Sequence, residues 1–288
     1  MKKIILTSIL SLFAAAGIGL HAQSTGAVLI PVSPESASLA GSDLASYSGG
    51  FALRQNISAA SFSGTKFAAE ASFGLWAPKG ADNKTVNLGG FMKIGRRWTV
   101  GIDGSYLRDQ QSVFSSANGA ILGTYTPQDF RFGAGASFLI NEHLSIGASA
   151  GMVRSLSGPD TSSTDVYGDV NLTWRQGEWK AAAALCNIGA PMILKAAGNW
   201  SRGALSANLE ADYLFDGAFG AAAGVQYTFF EMVSLRGGYH YGTPGKGIPS
   251  FASLGAGLDY RGFRLNAAWL FASPTLTSTL LVGVGYSF

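Results

Sequence analysis

Residues 279–288 read TLLVGVGYSF, and their side chains alternate between two kinds. Small or polar residues such as Gly283, Gly285 and Ser287 stand between bulky apolar ones. The bulky positions are Leu280, Val282, Val284, Tyr286 and Phe288. A period of two is the repeat of a β-strand with two different faces. Because about ten residues cross a bilayer at a tilt, this stretch predicts a membrane-spanning strand whose bulky row faces lipid.

The same alternation recurs upstream as far as residue 66. It predicts about fourteen strands of about ten residues each. The predicted strands are 66–76, 84–95, 97–108, 127–140, 142–154, 164–175, 178–189, 193–202, 204–215, 218–229, 232–242, 250–260, 263–272 and 276–288. An even number of antiparallel strands is typical of outer-membrane barrels. We therefore predict an all-β fold, a transmembrane antiparallel β-barrel over residues 66–288.

The links between the predicted strands alternate in length. Very short turns, such as Gly95-Arg96 and Gln176-Gly177, follow the even-numbered strands. Most odd-numbered strands are followed by longer links. The longer links are 77–83, 109–126, 155–163 and 243–249. Since outer-membrane barrels have short periplasmic turns and longer outer loops, both termini of the barrel are predicted to lie in the periplasm.

The composition agrees with a membrane barrel. Only 13% of the residues are charged, whereas 39 are glycine, and a soluble domain usually has about a quarter charged residues. A soluble β-sandwich would carry charges on its outward row, but here the second row is mostly small and polar. The net charge is +3, and its basic residues are scattered, so the sequence predicts no nucleic-acid binding.

The N-terminal region precedes the alternating pattern. Lys2 and Lys3 precede an apolar run from Ile4 to Leu20, and a cleavage point follows Ala22. This order is typical of a cleaved secretory signal peptide over residues 1–22. Residues 23–65 do not alternate, so we expect a periplasmic segment or a plug that folds into the lumen. The chain is thus predicted to reach the outer membrane, with membrane lipid as its surroundings.

Few residues could carry chemistry. After signal removal the chain keeps two histidines, His143 and His240, and the sequence has no motif with the spacing of metal ligands. We therefore predict no catalytic residues, no metal and no cofactor, and a protein that is not an enzyme. The inward row carries charges of both signs, which we expect to pair across the lumen. The candidate polar lumen residues are Arg131, Glu210, Asp212, Arg236, His240 and Asp259.

Several short motifs resemble one known family. They are GTYTPQDF at 123–130, LRGGY at 235–239, LGAGLDY at 254–260 and FRLNAAW at 263–269. These motifs are similar to the PorV/PorQ family of the Bacteroidota, a branch of the FadL-like fourteen-stranded barrels. PESASLAG at 34–41 is similar to the N-terminal segment of that family. The Asn-Pro-Ala element usual after it is absent, and Ser-Tyr-Ser-Gly-Gly stands there instead.

The resemblance implies a role in type IX protein secretion. A PorV-like barrel would take the C-terminal signal domains of exported cargo from the translocon and present them to a sortase-type attachment complex. The outer loops would make the contact, because exposed apolar loop residues often anchor interfaces. Candidate cargo-contact residues are Phe114, Tyr125 and Ile248.

The alternative is a FadL-like transporter of small hydrophobic molecules. Such a transporter needs an apolar pocket inside the barrel and a lateral or periplasmic exit. Apolar residues that interrupt the polar inward row could line the pocket or simply contact a plug. They are Trp76, Phe91, Leu107, Leu139 and Leu270.

The alternation generates a direct test of which row faces lipid. Leu209→Arg places a charge on the predicted lipid row and should destabilise the barrel by about 2–4 kcal/mol. Glu210→Arg changes the inward row and should be much milder. Outer-membrane yield and heat-modifiable gel migration measure the difference, and equal tolerance of the two changes would contradict the assignment.

Overall fold

The computed structural model describes residues 30–79, 81–115 and 118–288. Sixteen strands occur in the described residues: fourteen close into an antiparallel barrel, in which the first pairs with the last, and two form a separate hairpin. The strands are β1 (Phe67–Trp76), β2 (Asn83–Ile94), β3 (Trp98–Arg108), β4 (Ser112–Ser115), β5 (Ile121–Tyr125), β6 (Gln128–Asn141), β7 (Leu144–Gly158), β8 (Thr161–Gln176), β9 (Trp179–Ile188), β10 (Ile193–Arg202), β11 (Leu205–Leu214), β12 (Ala218–Phe229), β13 (Val233–Gly242), β14 (Phe251–Tyr260), β15 (Phe263–Phe271) and β16 (Thr279–Ser287). The predicted fourteen-stranded barrel is confirmed, and the signal peptide lies outside the described residues.

Two of the predicted links are wrong in detail. The link 109–126 contains a separate two-stranded hairpin, β4 paired with β5. The link 155–163 is mostly strand, because β7 and β8 continue to a turn at residues 159–160. β7 and β8 are 15 and 16 residues long, whereas β9 has 10. Outside the membrane a hairpin needs no apolar row, so these extensions carry no lipid-facing pattern.

The two faces of the wall follow the predicted alternation. Leu209, Leu235 and Val284 are 66%, 52% and 56% exposed on the outside of the barrel. Glu210 and Arg236, their neighbours in sequence, are only 6% and 8% exposed because they point into the lumen. The apolar row therefore meets lipid, and the polar row lines the interior.

The described part of the N-terminal region, residues 30–65, lies against the inner wall, and we call it the lumen segment. It contains three short helices, α1 (Pro34–Ser38), α2 (Ala52–Gln55) and α3 (Ile57–Ala60). Ser33 caps α1 by accepting a hydrogen bond from the Ser36 amide. Asn56 caps α3 in the same way, because its side-chain oxygen accepts a hydrogen bond from the Ser58 amide. Among the described residues, no helix is long and apolar enough to cross a membrane.

Hydrogen bonds join the lumen segment to strands on opposite sides of the barrel. Ser46 donates to Asn208 on β11 at 2.8 Å, and Asn56 donates to Thr173 on β8 at 2.9 Å. On β14, Ser253 donates to the carbonyl of the segment at Ser38. An apolar cluster, in which Tyr47, Phe51 and Ile57 are almost fully buried, joins the segment to β1 and β2. The segment thus occupies the lumen; that it closes the pore to solutes stays a prediction.

Inward-facing glycines make room for this segment. A β-carbon at Gly238 would lie 2.6 Å from the carbonyl carbon of Leu39, and one at Gly89 would lie 2.7 Å from the Phe51 ring. Both distances are too short for non-bonded carbons. The glycines of the inward row therefore allow close approach of the segment backbone to the wall.

Gly238→Val should displace the lumen segment without preventing barrel closure, since the new side chain overlaps Leu39. Gly198→Val is the matched control, because a β-carbon at Gly198 meets nothing within 4 Å. Thiol labelling of Ser46→Cys, in a Cys186→Ala background, measures access to the segment. We expect faster labelling in Gly238→Val only, with heat-modifiable migration kept in both. Equal labelling would show that the glycine does not seat the segment.

Candidate functional site in the barrel lumen

A cavity of about 130 Å³ lies in the outer half of the lumen, at the end with the longer links. Its apolar wall comes from the ends of four strands. Ile193, Leu214 and Ala218 form one buried cluster, and Phe251 belongs to another. The loop before β14 folds over this wall, so that Ile248 also faces the cavity. We call this space the outer cavity.

Ion pairs and hydrogen bonds fix most of the charged side chains of the outer cavity. Lys195 donates to Glu210 at 2.8 Å, and Glu210 also accepts the Leu44 amide of the lumen segment at 3.2 Å. Arg131 donates to the Tyr167 hydroxyl at 2.8 Å and lies 3.9 Å from the centre of its ring. Lys195 and Glu210 therefore pair as lumen charges of opposite sign were predicted to do, whereas Arg131 contacts a tyrosine.

Asp169 is held on the other side of the outer cavity. Its carboxylate accepts hydrogen bonds from Ser149 and from the Asn187 amide, both at 2.7 Å. Asn187 has a positive φ of 58°, and the pairing of β8 with β9 shifts register between Gly168 and Val170. The irregular strand end therefore turns a backbone N–H towards a buried carboxylate, which stabilises the charge.

His240 stands on the inner wall of β13. Its ring stacks on Phe251 with 5.2 Å between the centres and 21° between the planes. Within the described part of the chain, no carboxylate forms a hydrogen bond with His240, and no group of three potential metal ligands occurs. The geometry here is that of a packed aromatic pair.

A second, polar cavity of about 360 Å³ lies at the periplasmic end, and we call it the periplasmic cavity. Arg236 is its centre, donating to Gln226 at 2.7 Å and to Asn266 at 2.8 Å. Its guanidinium also lies 3.7 Å from Glu35 of α1. Since Glu35 belongs to the lumen segment, this ion pair ties the segment to the wall.

Arg264 makes a second network beside this cavity. It donates to Asp259 at 3.0 Å and lies 4.0 Å from Glu70. Glu70 accepts a hydrogen bond from the Tyr47 hydroxyl of the lumen segment at 2.8 Å. All six candidate lumen residues therefore face the interior, but they fall into two groups at opposite ends. Arg131, Glu210, Asp212 and His240 line the outer cavity, whereas Arg236 and Asp259 line the periplasmic one.

The lumen segment lies between the two cavities. Leu44 and Ala45 form a buried cluster with Ala182 and Ala184 of β9. On the opposite wall, Ala37 and Ala40 pack against a cluster that contains Leu270. The segment therefore packs against two opposite parts of the wall.

The apolar residues that interrupt the inward row mostly contact the lumen segment. Phe91 packs with Tyr47 and Phe51, and Leu107 lies beside Ile30 and Val32. Trp76 and Leu270 join the cluster that contains Ala37, and Leu139 is half-buried. Of the two roles that the sequence left open for these five residues, contact with the N-terminal segment is the one that four of them have.

The candidate cargo-contact residues lie in two places. Phe114 and Tyr125 belong to the outer hairpin of β4 and β5, where both are half-buried. Ile248 is half-buried as well; it is turned inward and packs against the cluster that contains Phe251. A cargo contact at these three residues stays a prediction. The loop folds back closely enough that a β-carbon at Gly242 would overlap the Ile248 carbonyl.

No family model and no curated protein matches this sequence. Solved structures do match. The CymD monoaromatic hydrocarbon channel superposes with a TM-score of 0.65 at 14% identity, covering 90% of this chain and 98% of that chain. The Pseudomonas putida toluene transporter TodX gives 0.59 at 14% identity over 88% of this chain and 96% of that chain. A Pseudomonas aeruginosa FadL homologue gives 0.61 at 12% identity over 90% and 96%.

The fold is that of the FadL-like outer-membrane barrels. At these identities the likeness shows the fold alone. It agrees with the FadL-like part of the resemblance noted from the sequence, whereas nothing in these matches points to PorV. The outer-membrane location and the cleavage of the signal peptide stay predictions.

Some functional residues have no signal in the sequence. Lys195 lies in a strand whose polar row is thin, and Asp43 lies in the irregular segment. Only the fold brings Lys195 to Glu210. The mild effect predicted for Glu210→Arg is therefore wrong, because the new arginine would place two cations together beside Leu44. Glu210→Gln is the better control for Leu209→Arg, since it keeps the shape of the side chain.

Asp43 is a buried acid outside the membrane-spanning strands. One of its oxygens accepts a hydrogen bond from Ser36 at 2.6 Å, and the other has no partner in the described part of the chain. Burial raises the pKa of Asp43 to about 7, and the nearby carboxylates of Glu35 and Glu210 act in the same direction. A carboxyl group protonated at acidic pH needs no buried counter-ion.

The packing of the lumen segment should therefore weaken as pH rises. A raised pKa means that the packed state binds the proton more tightly than the unpacked one. This stabilisation is complete below the unfolded value of about 3.9 and is lost as pH rises towards the packed-state pKa of Asp43. A nitroxide spin label on Ser48→Cys, in a Cys186→Ala background, should gain mobility between about pH 4 and pH 7. Asp43→Asn should remove this dependence, and an unchanged pH profile in that variant would contradict the assignment.

Proposed function

We propose that this barrel is an outer-membrane channel for small hydrophobic molecules about the size of one aromatic ring. The observation that carries the proposal is the outer cavity, a space of about 130 Å³ with an apolar wall inside a FadL-like barrel. An engineered cavity of about 150 Å³ lined by apolar side chains binds benzene. The outer cavity is therefore large enough for one ring, and a long acyl chain would not fit inside it.

The known activities of the matched structures support this substrate class. CymD and TodX are described as monoaromatic hydrocarbon channels, and TodX also as a toluene transporter. That activity belongs to those proteins. For this chain it supports the transport hypothesis more than the secretion hypothesis, and cargo binding by the outer loops stays a prediction without a contact to support it.

Passage requires the lumen segment to move. Its helices have four or five residues each, and besides its apolar packing it is attached to the wall by side-chain hydrogen bonds and by ion pairs such as Glu35–Arg236. Contacts of this kind open locally at a lower free energy than a continuous strand ladder. We infer that a solute enters the outer cavity first and reaches the periplasmic cavity when the segment shifts.

Filling the outer cavity should block uptake. Ala222 is buried on the inward row and lines the cavity, whereas Ala221 is its neighbour on the lipid-facing row. Ala222→Phe should strongly reduce the uptake of radiolabelled toluene by cells that carry the barrel in their outer membrane. Ala221→Phe should leave uptake close to that of the wild type. Equal uptake in the two variants, or no uptake above cells without the protein, would reject the transport hypothesis.

A further inference from the structure

One carboxylate of the outer cavity differs from the other charged groups there. Lys195 is paired with Glu210, Arg131 with Tyr167, and both oxygens of Asp169 accept hydrogen bonds. Asp212 is half-exposed to the cavity, and within the described part of the chain its side chain forms no hydrogen bond or ion pair. It is the acceptor that remains open.

The wall is shaped so that the Asp212 carboxylate reaches the cavity. On β12, Gly220 lies directly opposite Asp212 in the strand register. A β-carbon at Gly220 would lie 2.5 Å from both carboxylate oxygens of Asp212. The missing side chain therefore provides the space in which the carboxylate sits, on the wall that also carries His240 stacked on Phe251.

Charged side chains of both signs line the outer cavity, and most of them are held by contacts of their own. Lys195 lies opposite Asp212 in the strand register but forms its hydrogen bond and ion pair with Glu210. The ammonium of Lys246, on the loop above, donates to the backbone carbonyl of Asp216. Arg54 and Arg131 line the cavity as well, on the side of Asp169. The oxygens of Asp212 therefore stay available to a donor from a ligand.

We propose that the outer cavity binds small single-ring amines, with the ammonium on Asp212 and the ring against the apolar wall of Ile193, Leu214 and Phe251. This inference rests on the proposed function and adds the polar group of its substrate. A charge-assisted hydrogen bond in a partly desolvated site is stronger than a neutral one. A carboxylate head group has no hydrogen to donate to Asp212 and would be repelled by its charge.

The test compares three ligands of similar shape on the full-length mature protein in detergent. Benzylamine, toluene and benzoate are titrated by isothermal calorimetry at neutral pH. A hydrogen bond to a charged group corresponds to an affinity gain of about tenfold or more, so benzylamine should bind at least about tenfold more tightly than toluene. Benzoate should bind most weakly.

Two variants on the wall separate the carboxylate from the cavity shape. Asp212→Asn should abolish the preference for benzylamine and leave toluene binding unchanged. Gly220→Ala should weaken benzylamine binding, because the added β-carbon displaces the carboxylate of Asp212 without changing that residue. Asp259→Asn, in the periplasmic cavity, is the matched control and should keep the preference. Heat-modifiable migration checks that each barrel is folded.

The outcomes distinguish this inference from the proposed function. Equal affinity for benzylamine and toluene, tighter binding of benzoate, or a preference that survives Asp212→Asn overturns the amine assignment, even if toluene is still taken up. Benzylamine bound through Asp212 without uptake of either compound supports the binding site and rejects transport. The comparison of ligands on the wild type decides the question even if a variant fails to fold.

Discussion

Lipid cannot form hydrogen bonds with a polypeptide backbone, and the architecture of this protein depends on that constraint. Each N–H and C=O at membrane depth must find a partner within the protein, so strands can cross only if the sheet has no free edge. Here β1 meets that requirement by pairing with β16 from Ala68↔Ser287 to Leu75↔Leu280. Closure in turn fixes the direction of each side chain, because alternate residues must face lipid and lumen.

A closed wall of fourteen strands creates the next requirement, which is to fill its interior. The inward row is too small and polar to do so alone, and the lumen segment supplies the missing volume. Phe51 and Ile57 pack where the wall has glycine, as at Gly89 and Gly147. The same glycines that look like weak points of single strands are therefore part of the fit between wall and segment.

The segment does not fill the lumen completely, and the two cavities that remain differ in chemistry. The periplasmic cavity is polar, with Arg236 at its centre. The outer cavity joins an apolar wall to charged side chains, among which Asp212 forms no hydrogen bond or ion pair within the described part of the chain. In the proposed channel, the wall would determine what fits, and the contacts of the segment, including those of buried Asp43, would determine when it moves.

The sequence by itself determined the strand count, the lipid-facing and inward rows and the positions of the turns. These follow from local periodicity, as in residues 279–288, because alternate residues of a strand face lipid and lumen and differ in polarity accordingly. The alternation also placed Glu210, Arg236 and His240 inside. It missed the hairpin of β4 and β5, since a strand outside the membrane need not alternate.

Only the tertiary structure decided which inward residues meet. Residues from different strands or from the irregular segment form the Lys195–Glu210 ion pair and the Tyr47–Glu70 hydrogen bond. The Asp212 carboxylate likewise fits over Gly220 of the neighbouring strand. Such contacts depend on strand register and on the path of residues 30–65, and neither leaves a periodic trace in the chain. The inward turn of Ile248 has the same origin, because the direction of a loop is set by what it packs against.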